Sequence, residues 1–125
     1  MKIAVIGLGF VGLSLCSVLA SRGIATIGID SNSKKCSKIA KGIPTFFEPN
    51  LEKTLKKALK RKLLITNKLS SINNCDFIFV TVGTPQKKNG EIDLSMIKVV
   101  TSDIGKLLSK CKNNPIILIK STVIP

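Results

Sequence analysis

The opening stretch, MKIAVIGLGFVGLS, constrains the fold more than any other part of the chain. Lys2-Ile3-Ala4-Val5-Ile6 is a short, apolar, β-branched run and reads as a buried strand. Gly7, Gly9 and Gly12 follow at G-x-G-x-x-G spacing, and Leu13, Leu15, Val18 and Leu19 then recur at helical spacing. Strand, glycine turn and helix are the context in which this motif cradles a dinucleotide rather than serving as an ordinary turn. Gly7 would permit the tight turn, Gly9 would let a pyrophosphate approach the backbone, and Gly12 would let the helix pack closely on the sheet. The phosphates would lie at the helix N-terminus, where free N–H groups and the positive dipole end favour an anion.

The second strand reads as Ala25-Thr26-Ile27-Gly28-Ile29-Asp30. Its terminal acid falls near the offset of roughly 20 residues at which a carboxylate holds the adenine ribose. A carboxylate there accepts from the ribose hydroxyls and repels a 2′-phosphate, which favours NAD over NADP; Lys34 and Lys35 work against that preference. The competing role for Asp30 is N-cap of the next helix. Helices are expected over 11–22 and 33–41, and another starting near Pro49, a good first-turn residue. The last has an apolar stripe of Leu51, Leu55, Ala58 and Leu59, with Lys53, Lys56, Lys57, Lys60 and Arg61 facing away. A short strand over 63–66, a small helical turn or loop over 70–74 and a nearly continuous apolar strand over 76–82 follow. After a loop through Asn89-Gly90, a helix capped by Asp93 or Ser95 turns Ile97, Val100, Ile104, Leu107 and Leu108 inward, and a fifth strand covers 116–120. The expected fold is α/β, a Rossmann-type doubly wound parallel sheet of order 3-2-1-4-5 in a single domain over 1–125. Its ligand would lie where strands 1 and 4 diverge, between Gly7 to Gly12, Val82-Gly83-Thr84-Pro85 and Ser121-Thr122.

A length of 125 residues suits one domain with one modest core. No apolar run approaches the roughly 18 residues of a membrane span. Met1 leads straight into strand 1 with no room for a signal peptide, so a cytoplasmic location is expected. Cys16, Cys36, Cys75 and Cys111 are scattered without a C-x-x-C pair, which argues against a disulfide framework or metal site and for reduced, mostly buried thiols. Histidine is absent, so no Cys-His or Ser-His nucleophile can be assembled. The formal charge of +13, from 20 Lys and Arg against 7 Asp and Glu, raises a polyanionic partner. Five phenylalanines without Tyr or Trp supply a base-stacking platform poorly. The lysines therefore read as solvated helix faces that concentrate an anionic cofactor or substrate, with no nucleic-acid or membrane partner.

Several linked motifs carry a resemblance. They are Gly7-Leu8-Gly9-Phe10-Val11-Gly12-Leu13, Asp30, Phe47-Glu48-Pro49-Asn50-Leu51, Val82-Gly83-Thr84-Pro85, Asn89-Gly90-Glu91-Ile92-Asp93-Leu94 and Lys120-Ser121-Thr122-Val123-Ile124-Pro125. Over essentially its whole length the chain resembles the N-terminal NAD-binding domain of the UDP-glucose/GDP-mannose dehydrogenases. The resemblance implies oxidation of a sugar C6 alcohol to a carboxylate in two hydride transfers, using two NAD. It implies that Gly9, Phe10, Val11 and Gly12 hold the pyrophosphate after the Gly7 turn, and that Asp30 takes the adenine ribose with Lys35 nearby. Val82, Gly83 and Thr84 would line the adenosine and central part of the cofactor. Thr122 would reach the nicotinamide side and take a catalytic role, positioning a water. The family's cysteine nucleophile lies in a glycine-rich motif of the C-terminal half, a setting that none of the four cysteines has. The 125 residues are thus expected to bind NAD without turning over a UDP-sugar. The substrate, UDP-glucose in preference, and a homodimer belong to the full-length enzyme, whose implied setting is polysaccharide biosynthesis.

A rival is a stand-alone NAD-sensing regulatory module of a potassium transport system, which shares the strand 1 motif and the acid after strand 2. The Glu48-Pro49 segment, Gly83-Thr84-Pro85 and Lys120 to Val123 do not fit it. The 3-hydroxyacid and 6-phosphogluconate dehydrogenases are a second rival, and Asp30 and Gly83-Thr84-Pro85 argue against their NADP-using members.

Overall fold

A computed structural model describes residues 1–122. Five parallel strands form one sheet in the order β3-β2-β1-β4-β5, as the alternation of strands and helices predicts. The strands are β1 (Lys2–Ile6), β2 (Ala25–Ile29), β3 (Leu63–Thr66), β4 (Phe77–Val80) and β5 (Ile116–Ile119). The helices are α1 (Phe10–Ser21), α2 (Ser33–Ala40), α3 (Leu51–Arg61) and α4 (Ser95–Leu108), with a 3-10 turn at Leu69–Ile72.

β1 lies at the centre because every residue from Ile3 to Ile6 is buried, and period-two alternation sends them to opposite faces. Ile3 and Val5 join Leu8, Leu13 and Cys16, with Leu51, Leu55 and Ala58 of α3, in one layer. Ala4 and Ile6 join Ile78 and Val80, with Ile97 and Ile104 of α4, in the other. β1 pairs with β2 from Lys2↔Ala25 to Ile6↔Ile29, and with β4 from Ile3↔Phe77 to Ile6↔Val80. The strand ends therefore lie side by side at one edge of the sheet. α3 packs along α1, and the Arg61 guanidinium donates to the Ser21 carbonyl at 2.9 Å, satisfying an acceptor in the last turn of α1. β5 is less well covered, with Ile116, Ile117 and Ile119 each more than 40% exposed.

Several boundaries differ from expectation, among them β4, which covers Phe77–Val80 and not 76–82. Pro49 lies outside its helix: Asn50 takes the N-cap position in a left-handed conformation, φ 65°, and α3 starts at Leu51. The second strand ends at Ile29, leaving Asp30 beyond the ladder. Neither Asp93 nor Ser95 takes the N-cap of α4: that position is Leu94, without a side-chain cap, and Asp93 Oδ1 accepts the Ser95 N–H at 2.9 Å just ahead of it.

Ser17 is fully buried on α1, and its hydroxyl is the one buried side-chain polar group among the described residues without a hydrogen-bond partner. An unsatisfied buried hydroxyl is costly, and alanine is the better helix former. Ser17→Ala is expected to raise unfolding stability by about 1 kcal/mol, measured as a higher urea midpoint at unchanged slope; a lower midpoint would show the hydroxyl to be satisfied.

Candidate dinucleotide-binding site

The turn between β1 and α1 is held by its neighbours. Gly7 has φ +95°, and a Cβ there would lie 2.8 Å from the Val82 nitrogen. Its N–H donates to the Ile29 carbonyl at 2.8 Å, tying the turn to β2. Gly12 is the tightest position: a Cβ would meet the Gly7 carbonyl oxygen at 1.8 Å and the Thr81 hydroxyl at 2.5 Å. The close approach expected there is thus made to the turn and the β4 end. Gly9 is the opposite case, with nothing within 4 Å of a Cβ. It occupies the N-cap of α1 without a side-chain cap, and the first turn carries no acid. The N–H groups of Phe10, Val11 and Gly12 lack intrahelical acceptors by their position in the helix. The space before Gly9 and this uncapped positive end fit a pyrophosphate.

Asp30 stands beside the turn. Its Oδ2 accepts from the Leu8 N–H at 2.9 Å and from Lys35 Nζ at 2.9 Å, and its Oδ1 accepts from the Asn32 N–H at 3.0 Å. Burial pushes the carboxyl pKa up, but the Asn32 and Leu8 N–H groups and the Lys35 ammonium outweigh it and hold it below the ordinary range. Oδ2 already takes two donors and Oδ1 one, so Oδ1 keeps room for a hydroxyl. The helix-capping role considered for Asp30 falls to Asn32, whose Oδ1 accepts the Lys35 N–H at 3.0 Å.

Two hydroxyls stitch the remaining strand ends. Thr81 Oγ1 donates to the Gly7 carbonyl at 2.7 Å and also lies 3.0 Å from the Ile6 carbonyl. Ser121 Oγ donates to the Val82 carbonyl at 2.6 Å. The structure thus draws Gly7, Gly12 and Val82 together, with Asp30 and Lys35 paired alongside. Phe10, Val11, Gly83 and Thr122 are exposed, and Thr84 is half-buried. The Phe10 ring packs on Phe46 at 4.4 Å between centroids, tying the 43–50 loop to the start of α1. Val123, Ile124 and Pro125, the end of the last sequence motif, lie outside the described residues.

Sequence reasoning missed Thr81 and Phe46, and it placed Ser121 at the site without its bond to the Val82 carbonyl. Thr81 carries a faint signal, a hydroxyl in the apolar run 77–82 next to the strand that ends in the glycine turn. All four cysteines are free, and three are buried. Burial pushes the Cys16 thiol up to about 12 and also raises those of Cys36 and Cys75, so none of these three is a thiolate nucleophile at neutral pH. Among the described residues no helix is long and apolar enough to cross a membrane.

With this geometry, the chain matches over residues 1–125 the model of the NAD-binding domain of the UDP-glucose/GDP-mannose dehydrogenase family. It is 36% identical over 127 residues to GDP-mannose 6-dehydrogenase of Pseudomonas syringae pv. tomato, covering 100% of this chain and 29% of that relative. It is 37% identical over 124 residues to a UDP-glucose 6-dehydrogenase of Bacillus subtilis, covering 98% of this chain and 26% of the relative. Among solved structures, the ternary complex of GDP-mannose dehydrogenase from Pseudomonas aeruginosa superposes with a TM-score of 0.96 at 35% identity, over 100% of this chain and 29% of that one. The chain thus spans less than a third of the length of these relatives.

Proposed function

Because this chain belongs to the UDP-glucose/GDP-mannose dehydrogenase family, as its NAD-binding domain, we propose that residues 1–125 form one domain that holds NAD at the ends of β1, β2 and β4 for the oxidation of a nucleotide sugar. NAD is the cofactor of this domain, and when bound it supplies the hydride acceptor. The observation that carries the residue assignment is the open space at Gly9 before an uncapped α1. In this reading the N–H groups of Phe10, Val11 and Gly12 take the pyrophosphate, and Gly7 sets their direction. Asp30 accepts from the adenine ribose hydroxyls, and Lys35 shifts from its carboxylate toward the same sugar. Val82, Gly83 and Thr84 line the middle of the cofactor, and Thr122 lies at the nicotinamide side, where its hydroxyl orients a water.

We assign oxidation of UDP-glucose at C6 to the whole polypeptide, supported by the Bacillus subtilis relative. The similar identity to GDP-mannose 6-dehydrogenase makes GDP-mannose the second reading. NADH formation by the whole polypeptide with each sugar nucleotide decides between them. Family resemblance supports a homodimer and a role in polysaccharide biosynthesis for that polypeptide, and the free thiols support a cytoplasmic setting.

The 125 residues alone bind NAD without turnover in this reading, since none of the four cysteines stands in the glycine-rich setting of the family's nucleophile and three of them are buried. Calorimetric titration is expected to show NAD binding at least about tenfold more tightly than NADP, because the Asp30 carboxylate repels a 2′-phosphate. NADP binding more tightly would overturn the role of Asp30. UDP-glucose-dependent NADH production by the 125 residues would overturn the lack of turnover.

A further inference from the structure

The Gly7–Leu8 peptide is gripped at both ends. A trans peptide points its C=O and N–H in opposite directions. Here the Gly7 carbonyl accepts from Thr81 Oγ1 at 2.7 Å, and the Leu8 N–H donates to Asp30 Oδ2 at 2.9 Å. One grip comes from the end of β4 and the other from the end of β2, so a single peptide plane on β1 is fixed from both flanks. The Gly7 oxygen sits against Gly12, where a Cβ would fall 1.8 Å away. Its backbone hydrogen-bonding capacity is not used by any sheet or turn partner among the described residues. The Thr81 hydroxyl is therefore its donor.

We propose that Thr81 is a positioning residue for the dinucleotide turn. It touches no cofactor atom in this account. Its hydroxyl sets the tilt of the Gly7–Leu8 plane, and that tilt aims the N–H groups of residues 10–12 at the pyrophosphate. The inference rests on the reading of this turn as the NAD site. A donor lost at Gly7 leaves a confined carbonyl unsatisfied, and the turn relieves this by rotating. A binding shell left loose in this way loses affinity without losing any ligand contact of its own.

The test compares Thr81→Ala, Thr81→Ser and Thr81→Val by calorimetry with NAD and with ADP-ribose, alongside thermal melts. Thr81→Ala is expected to weaken both ligands about tenfold, the worth of one hydrogen bond left unmade. Thr81→Ser keeps the hydroxyl, and NAD affinity should stay within about twofold of wild type even where the lost methyl lowers the melting temperature. Thr81→Val sets a methyl against the Gly7 oxygen and should lose at least as much as alanine. Equal affinity losses in the serine and alanine variants would reduce Thr81 to a packing residue and overturn the proposal. So would unchanged NAD binding in Thr81→Ala, or a loss for NAD not shared by ADP-ribose, which would put the effect at the nicotinamide end. A wild-type chain that binds neither ligand would overturn the cofactor site itself, and this inference with it.

Discussion

Gly12→Ala is expected to lower unfolding stability by about 3 kcal/mol and to remove measurable NAD binding. The added Cβ would meet the Gly7 oxygen at 1.8 Å, and that oxygen is backbone already held by Thr81. Neither side can give way cheaply: α1 is packed against α3, and Gly7 is tied to Ile29 by its own N–H. Gly9→Ala makes the informative contrast, since its Cβ has nothing within 4 Å. Its stability should stay within about 0.5 kcal/mol of wild type. The methyl would fill the space assigned to the pyrophosphate, however, and NAD should weaken about 30-fold, the worth of one or two charge-assisted hydrogen bonds. Urea unfolding and calorimetry on the two variants separate fold from site. A Gly9→Ala chain that binds NAD normally would move the phosphate elsewhere.

The second large effect is at Asp30. Asp30→Ala removes an acceptor from Leu8, from Asn32 and from Lys35 at once. Hydrogen bonds to a charged group are worth about 1.5–3 kcal/mol each, and water recovers part of that at this half-buried position, so a net stability loss of about 2 kcal/mol is expected. NAD affinity should fall by at least about tenfold through the lost ribose contact, while NADP falls less because Lys35 is freed. The pH dependence follows from the sign of the shift. The folded carboxyl titrates below its unfolded value, so its contribution to stability is complete above the ordinary carboxylate range. That contribution disappears as pH falls through the lowered folded value. Acid unfolding of wild type should therefore be steeper than that of Asp30→Ala, with the curves converging at the acid end. Parallel curves would mean that Asp30 is not stabilised as a carboxylate.

The sheet order and the position of the turn were legible because they follow from periodicity and from the glycines, both properties of short stretches. β1 and its turn read correctly to the residue, and Asp30 was marked by its distance from Gly12. The start of α3 was misplaced because proline is a generic helix opener, whereas the local choice went to Asn50, which tolerates a left-handed backbone. The partners of Thr81 and Ser121 escaped for a different reason. Each hydroxyl acts across the sheet on a carbonyl about 40 or more residues away in sequence, and no local pattern announces such a partner. The Thr81 hydroxyl reads as a routine strand-end group until strand register places it beside Gly7.

The exposed isoleucines of β5 matter for how the chain behaves in solution. Among the described residues that strand pairs on one side only, and an apolar open edge is a template for adhesion to another chain. Mutual repulsion at a net charge of +13 opposes such contact. Its reach contracts to about 10 Å at 0.1 M salt. The lysine charge thus acts as a colloidal stabiliser of the chain, and added salt weakens that dispersion.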